Sequence, residues 1–453
     1  MQVALAAALC LGGAASPSPL SDDPEQPKHL IFISVDTTRA DRLSCYGYAR
    51  RTTPHIDKLA AAGTRMARAT APTTVTAPSH SSMFTGLYPL SHGLTSNYTQ
   101  LNDSAVTLAE ILTEHGFTTA AFTHKFPFKN LGVARGFQEI HSYPEFDSFQ
   151  QAADVGEWLE QHRQDEHVFL WMHMFYPHAP AHAPEPHRRR WWRKRYGRFF
   201  PQGLGMLEQI RKGEVPPPSR AWVTQYLDTY DADLNFADRQ VGQVVASLKD
   251  LGLYKDCQLV LVSDHGESLE QGVFGLHAPI IRQATLHVPM VLSGAGVPAG
   301  RVVEEVVELI DLFPTLLESF GLSPHVSQGT SLWPLIREQE VEWDERAFSI
   351  LPNKFYGNMK GVEDIGVAVQ TRNWKLVHFG GESPRLHDLR VDPQELNDLA
   401  ATEVRIAESL KRSLEQWFSG LKLAGPGADV SPETLEILEQ LGYVQDDKDD
   451  QAR

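Results

Sequence analysis

The chain has 453 residues, 42% of them hydrophobic and 22% charged, enough for one large α/β domain with an appendage or for two or three smaller ones. A formal net charge of −16 argues against general nucleic-acid binding, and three cysteines (Cys10, Cys45, Cys257) exclude a disulfide framework, a Cys-rich zinc site or an iron–sulfur cluster. Nineteen histidines are the more telling count, because imidazole both ligates metals and moves protons near neutral pH.

In chain order, Met1 to Ser16 is a short apolar run ending in small residues, with Gly13-Ala14-Ala15 as a cleavage site. It is too short to span a bilayer. Residues 1–28 are therefore read as a signal peptide and polar linker, which places the mature chain in the periplasm or outside the cell. No Lys or Arg precedes the run, and without a signal the location is cytoplasmic. His29 to Asp36 is a continuous apolar run closed by an acid, the pattern of a buried parallel strand. Phe117 to Phe122, His167 to His173, Gln258 to Ser263 and Val288 to Ser293 repeat it. Helical patterns fill the intervals at Ser104 to His115, Asp147 to His162 and Ala221 to Leu251.

This alternation predicts an α/β fold over residues 29–345: a mostly parallel sheet with helices on both faces, in three layers. From about Ala347 short alternating runs (Gly366 to Gln370, Trp374 to Phe379, Arg385 to Asp388) predict a smaller antiparallel subdomain, followed by a helical tail over Glu403 to Leu421. That subdomain and tail span 346–445, and the charged end 446–453 is read as disordered.

Ligands of open α/β sheets bind at the carboxyl ends of the strands. Asp36 closes one strand there and Asp264-His265-Gly266-Glu267 closes another. Two hard carboxylates and an imidazole suit a divalent cation that activates an oxygen nucleophile. Thr74 to Gly86 adds small hydroxyl residues and Pro78 ahead of a short helical run, whose amino end suits a tetrahedral oxyanion. A capped Ser/Thr-rich helix is the plainer reading of that stretch alone.

The stretch resembles the sulfatase signature of the alkaline-phosphatase superfamily, in which a modified Cys precedes x-Pro-x-Arg and a helix ending in Thr-Gly. On that match Thr76 holds the nucleophile position, Pro78 the Pro, His80 the Arg, and Thr85-Gly86 the Thr-Gly. Further segments resemble the family in order: Asp36 to Asp41 with Tyr46-Gly47-Tyr48, Thr53 to Leu59, Pro177 to Pro180, Tyr230-Asp231-Ala232 with Asp238, and Ser263 to Glu267. His277, Val288-Pro289, Gly294 to Pro298, Asp311 to Thr315, and Asp388-Leu389 with Asp392-Pro393 and Glu395 complete the series.

The resemblance implies an alkaline-phosphatase-like fold and a hydrolase of anionic esters of EC 3.1 type. It implies one divalent ion (calcium, magnesium or manganese, with zinc allowed by the His) bound by Asp36, Asp264 and His265 beside the Thr76 oxygen. His178 and His277 become candidates for holding the anion and protonating the leaving oxygen. His124 falls near a family Lys, with Lys125 next to it, and the sequence leaves open which points inward. His80 is a candidate hydrogen-bond donor where the family has Arg.

The pattern is also broken. Sulfatases expel sulfate from an aldehyde hydrate made from Cys or Ser, whereas a Thr adduct must be cleared by water or an acceptor alcohol. This favours phosphoester chemistry without excluding sulfate, and it leaves a phosphoethanolamine- or phosphoglycerol-type transferase and a non-catalytic binding protein as alternatives. No Asp is followed four residues later by His, the spacing of two-zinc relatives, and Thr37 replaces a second adjacent Asp; both point to a single metal. The basic and aromatic segment 188–200 suits a membrane surface or an anionic polymer, or else an exposed helix packed on the main domain. His92 and Asn97 are read as weaker pocket candidates, His173 as a core residue or a support behind the site, His182 and His187 as surface, and Cys45 and Cys257 as structural. Oligomeric state has no sequence signal.

Overall fold

The computed structural model describes residues 26–144, 150–179, 183–191, 209, 213–214, 216, 219–269, 277, 280–351, 365–425 and 427–440. Most of the leader, His182, residues 192–200 of the basic and aromatic segment, and the charged end 446–453 lie outside the described residues.

The main sheet contains β1 (His29–Val35), β2 (Gly63–Thr70), β3 (Thr118–His124), β4 (Glu139–Tyr143), β5 (Val168–Met174), β6 (Cys257–Val262), β7 (His287–Val288), β8 (Met290–Gly294) and β9 (Arg301–Glu308). Their order is β4-β3-β5-β1-β6-β8-β2-β7, with β9 also paired to β2. The half from β4 to β6 is parallel throughout, while β8 runs antiparallel to both β6 and β2.

Every residue of β1 is buried, because successive side chains enter opposite cores. Leu30 and Phe32 pack with Phe84, Trp171 and Val260 on one face; Ile31, Ile33 and Val35 pack with Leu170, Val241 and Leu259 on the other. The first two α-helices among the described residues are α1 (Pro54–Ala61) and α2 (Thr76–Thr85), of which α2 carries site residues. A later helix, Arg220–Asp250, is capped by the Ser219 side chain, which accepts from Trp222 N, and buries Phe236, Val241, Val244 and Leu248 against the sheet.

The smaller sheet is antiparallel as expected: β10 (Ala347–Ile350), β11 (Val367–Gln370), β12 (Trp374–His378) and β13 (Arg385–Asp388). The helix Val404–Gly420 lays Ala407, Leu410 and Leu414 on Val367, Val369 and Leu376. Ile350 N donates to Pro72 O at 2.8 Å, so the two sheets meet next to α2. Among the described residues no helix is long and apolar enough to cross a membrane.

Candidate active site

β1 and β6 are parallel neighbours, so Asp36 and Asp264 emerge side by side at one sheet edge. The chain then turns at Thr37, whose φ of 48° is unusual for a β-branched residue. Three bonds hold that turn: Thr37 N to Asp264 Oδ1 (3.3 Å), Thr38 N to Ser263 Oγ (2.8 Å) and Tyr230 Oη to Thr37 O (2.8 Å). After Asp264, Gly266 runs so close to Ala284 that a Cβ there would lie 2.1 Å from its carbonyl oxygen. Only glycine lets the backbone pass.

Ligand atoms of Asp36, Asp264 and His265 lie within 4.8 Å of one another, and all three residues are fully buried. His265 Nδ1 donates to Gly266 O at 3.0 Å, which leaves Nε2 of the neutral ring as a bare lone pair. That nitrogen is 3.4 Å from Asp264 Oδ2 and 3.9 Å from Asp36 Oδ1. Among the described residues, neither Asp36 oxygen, nor Asp264 Oδ2, has a hydrogen-bond partner. Burial, then the Asp36 charge, push the Asp264 carboxyl well above the carboxylate range; burial likewise raises Asp36 against the pull of His178 and His277, and holds His265 well below its ordinary value. Lone pairs converging without protons are the donor set of a divalent cation, and the residues fit one.

α2 begins at this point. Val75 is extended, Thr76 is the first helical residue, and Gly86 ends the helix in the left-handed conformation at φ 67°. Ser79 Oγ donates to Asp264 O at 2.7 Å and locks the first turn onto the strand end. Thr76 Oγ1 thereby sits 3.4 Å from His265 Nε2. Asn97 lies near the site but is spent as a cap, its Oδ1 accepting from Ala77 N at 3.3 Å.

Several expectations are corrected. His80 has no donor to offer an anion: Nδ1 donates to Thr76 O (2.8 Å), one helical turn back, and Nε2 contacts Ser34 Oγ (3.0 Å). Burial holds this ring down to about 3, and it is part of the floor of the site. Of the neighbours His124 and Lys125, His124 is buried and Lys125 exposed, because adjacent strand-end residues face opposite ways. His92 is fully buried and joins Ser82 Oγ (3.0 Å) to Leu94 N (3.2 Å), a packing role. His187 is buried rather than on the surface, with Nδ1 3.0 Å from Asn235 Oδ1. Cys45, half-buried, and Cys257, buried, are free thiols.

His178 and His277 do gather here. His178 Nδ1 donates to Ala179 O at 2.6 Å, and its ring meets His277 edge-on at 5.2 Å; His277 stacks on His265 at 4.4 Å. Burial lowers His178. Burial also opposes a charged His277, yet the Glu267 and Asp36 carboxylates outweigh it and hold that imidazole above its ordinary value. Glu267 Oε1 is 3.5 Å from His277 Nδ1, a partner that sequence reasoning passed over although it directly follows Asp264-His265-Gly266. His173, on β5, also belongs to the cluster: Nε2 is 3.5 Å from Asp36 Oδ2, and burial lowers it to about 3.

Away from this edge, Arg188 and Arg189 pair with Glu185, and the Arg50 guanidinium lies 5.7 Å over Trp191.

A model of the family described as Sulfatase matches residues 28–322, and one described as N-sulphoglucosamine sulphohydrolase, C-terminal, matches 272–419. The chain belongs to the sulfatase family and is an ester hydrolase. It is 24% identical over 415 residues to an ulvan-active sulfatase of Formosa agariphila, covering 83% of this chain and 78% of that one. It is also 24% identical over 481 residues to the multifunctional alkaline phosphatase superfamily protein PehA of Trinickia caryophylli, covering 82% and 91%. The phosphonate monoester hydrolase of Agrobacterium radiobacter has the same fold, with a TM-score of 0.72 and 24% identity over 87% of this chain and 95% of that one.

Proposed function

We propose that the chain is a divalent-metal-dependent hydrolase of phosphate- and sulfate-type esters in which the Thr76 hydroxyl is the attacking group. The observation that carries this reading is the 3.4 Å between Thr76 Oγ1 and His265 Nε2, at the meeting point of two carboxylates whose facing oxygens have no hydrogen-bond partner among the described residues. Asp36, Asp264 and His265 would hold the ion. When bound it supplies a Lewis acid that lowers the pKa of the neighbouring hydroxyl and neutralises the ester oxygens.

The chain's own groups account for the remaining steps. The Thr76 oxygen, its proton already lost to solvent, forms a bond to phosphorus or sulfur while the bond to the leaving oxygen breaks. His277, whose protonated form the Glu267 and Asp36 carboxylates favour, gives its proton to that oxygen. Now neutral, the same ring takes a proton from water, which attacks the adduct and releases the Thr76 oxygen. His178 packs against the edge of His277 and limits its swing. Threonine has no second hydroxyl with which to eliminate the adduct, so hydrolysis by water is the route, and phosphate esters are the better-suited substrates. An aryl or alkyl phosphate mono- or diester is favoured over an aryl sulfate on this ground.

The test compares an aryl sulfate, an aryl phosphate, an aryl phosphodiester and an aryl phosphonate under magnesium, manganese, calcium and zinc. Thr76→Ala is expected to lower turnover by about 10³-fold or more while Thr76→Ser keeps part of it. Mass spectrometry after acid quench is expected to find a phosphoryl or sulfuryl adduct on the peptide containing Thr76. Equal turnover by Thr76→Ala and the wild type would remove the proposal.

A further inference from the structure

Beyond the ion expected at Asp36, Asp264 and His265, a second group of ligands lies on the other side of Asp36. Atoms of Asp36, His124 and His173 fall within 4.8 Å of one another, and all three side chains are buried. The sequence pattern, by contrast, points to one metal.

The proton positions around Ser34 decide what this group can hold. Thr76 O can only accept, so His80 Nδ1 carries a proton and donates to it at 2.8 Å. The neutral His80 ring therefore presents Nε2 as an acceptor, and Ser34 Oγ, 3.0 Å away, must donate to it. That spends the only hydroxyl proton of Ser34. Trp171 Nε1 donates to the same oxygen at 2.9 Å, leaving one lone pair for His173 Nδ1, also at 2.9 Å, which must donate in turn. His173 Nε2 is then unprotonated, and it faces Asp36 Oδ2 at 3.5 Å. With Asp36 ionised, the state a bound cation holds, two acceptors face each other with no proton between them.

A direct charge-assisted hydrogen bond would close this gap to about 2.7–2.9 Å. The observed distance is longer, and neither Asp36 oxygen has any hydrogen-bond partner among the described residues. His124 completes the group. Among the described residues both of its ring nitrogens lack hydrogen-bond partners, and it is walled in by Phe126, Phe128 and Phe175, whose side chains offer none. Each unmet buried polar atom costs roughly 1–3 kcal/mol, so an imidazole left this way calls for a ligand. The same Asp36 serves both groups, one carboxylate oxygen toward His265 and the other toward His173.

We propose that Asp36, His124 and His173 bind a second divalent cation, bridged through Asp36 to the first. The inference rests on the first site only in sharing that carboxylate. Two imidazoles and one carboxylate make a nitrogen-rich set suited to zinc or another borderline transition ion, whereas the oxygen-richer Asp36–Asp264–His265 set suits magnesium, calcium or manganese as well. Two adjacent dications favour a dianionic phosphate monoester over a singly charged sulfate ester, which agrees with a threonine nucleophile.

The test counts ions in the full chain after chelation, dialysis and titration with zinc alone, by calorimetry and elemental analysis. The wild type is expected to take two ions per chain. His124→Gln and His173→Gln, each checked by circular dichroism, are expected to take one, with affinity for the other lowered at least tenfold. Manganese loading of the unmodified chain avoids variants altogether, and its electron paramagnetic resonance spectrum is expected to show an exchange-coupled pair. One ion per chain in the wild type and in both variants, with an uncoupled manganese spectrum, overturns the second site and leaves the first. Two ions unaffected by either substitution also overturns it. No binding at all overturns both.

Discussion

The Glu267 carboxylate, fully buried, faces His277 Nδ1 at 3.5 Å, and neither of its oxygens makes a hydrogen bond among the described residues. This pairing sets His277 apart from the other rings of the histidine cluster. His178 and His265 each commit Nδ1 to a backbone carbonyl and are held low by burial, whereas the neighbouring carboxylates hold His277 high. A proton donor matters most when the leaving oxygen is a poor one. Glu267→Gln is expected to reduce kcat about 10²-fold for an alkyl ester and to leave a nitrophenyl ester within about threefold. Loss of the carboxylate also lowers the His277 pKa, so the basic limb of the alkyl-ester profile should move to lower pH. Equal losses for both leaving groups would show that Glu267 serves folding alone.

The two aspartates at the strand ends make a different prediction. Asp36 and Asp264 are buried together, and the charge of Asp36 is one reason the Asp264 carboxyl is raised. With the cation stripped, this repulsion and the unpaired Asp264 Oδ2 work against the fold. Asp264→Asn is therefore expected to melt about 2 °C or more above the wild type in chelator. In the presence of metal the order should reverse, and turnover should fall by roughly two to three orders of magnitude. A variant less stable than the wild type in both conditions would mean that no ion relieves this pair.

Much of this edge was legible in the amino-acid sequence, for a physical reason. An apolar run buried on both faces and closed by Asp36, or by Asp264-His265, marks a central strand and the ligand end of the sheet together. β2, by contrast, alternates Arg65 and Arg68 with small residues, and β9 carries Glu304 and Glu305; such strands show little apolar signal and were not foreseen. Side-chain direction was equally hidden. Whether His124 or Lys125 turns inward depends on strand pleat, and the fate of His80 depends on a bond to Thr76 O one turn back. His173 joined the site only through its register opposite Ser34 on β1, a relationship between strands 139 positions apart in sequence.

Buried histidines outside the site set the acid limit of stability. His92 is held to about 3 and His29 to about 4, in both cases chiefly by burial, against 6.5 for the ordinary side chain. A folded pKa below the unfolded one contributes stability that is complete above about pH 6.5 and is lost as pH falls toward the folded value. Between pH 7.5 and 5 each such ring is expected to remove about 2 kcal/mol. Urea unfolding of the metal-loaded chain at the two pH values measures the slope, which His92→Gln should reduce by one histidine's share. An unchanged slope in that variant would assign the acid sensitivity elsewhere.

The last prediction concerns how the small sheet supports the site. Lys375 on β12 is wholly buried, with Nζ 2.7 Å from Glu395 Oε1 and 3.3 Å from Ile281 O, while Gln283 N donates to Glu395 Oε2 at 2.6 Å. Glu395 thus pins the segment 281–285, whose Thr285 O accepts from Gly266 N at 2.8 Å, immediately after His265, a proposed metal ligand. Burial lowers the Lys375 ammonium, and the Glu395 charge opposes that fall. Removing one partner strands a buried charge, so Lys375→Met or Glu395→Gln alone is expected to cost about 3–5 kcal/mol. The double variant, with neither charge, should cost less than the sum of the two, a coupling read from denaturant unfolding. Zinc affinity should fall in Glu395→Gln, because the backing of Gly266 loosens with it. Additive losses in the double variant and unchanged zinc binding would sever the small sheet from the chemistry at the β6 end.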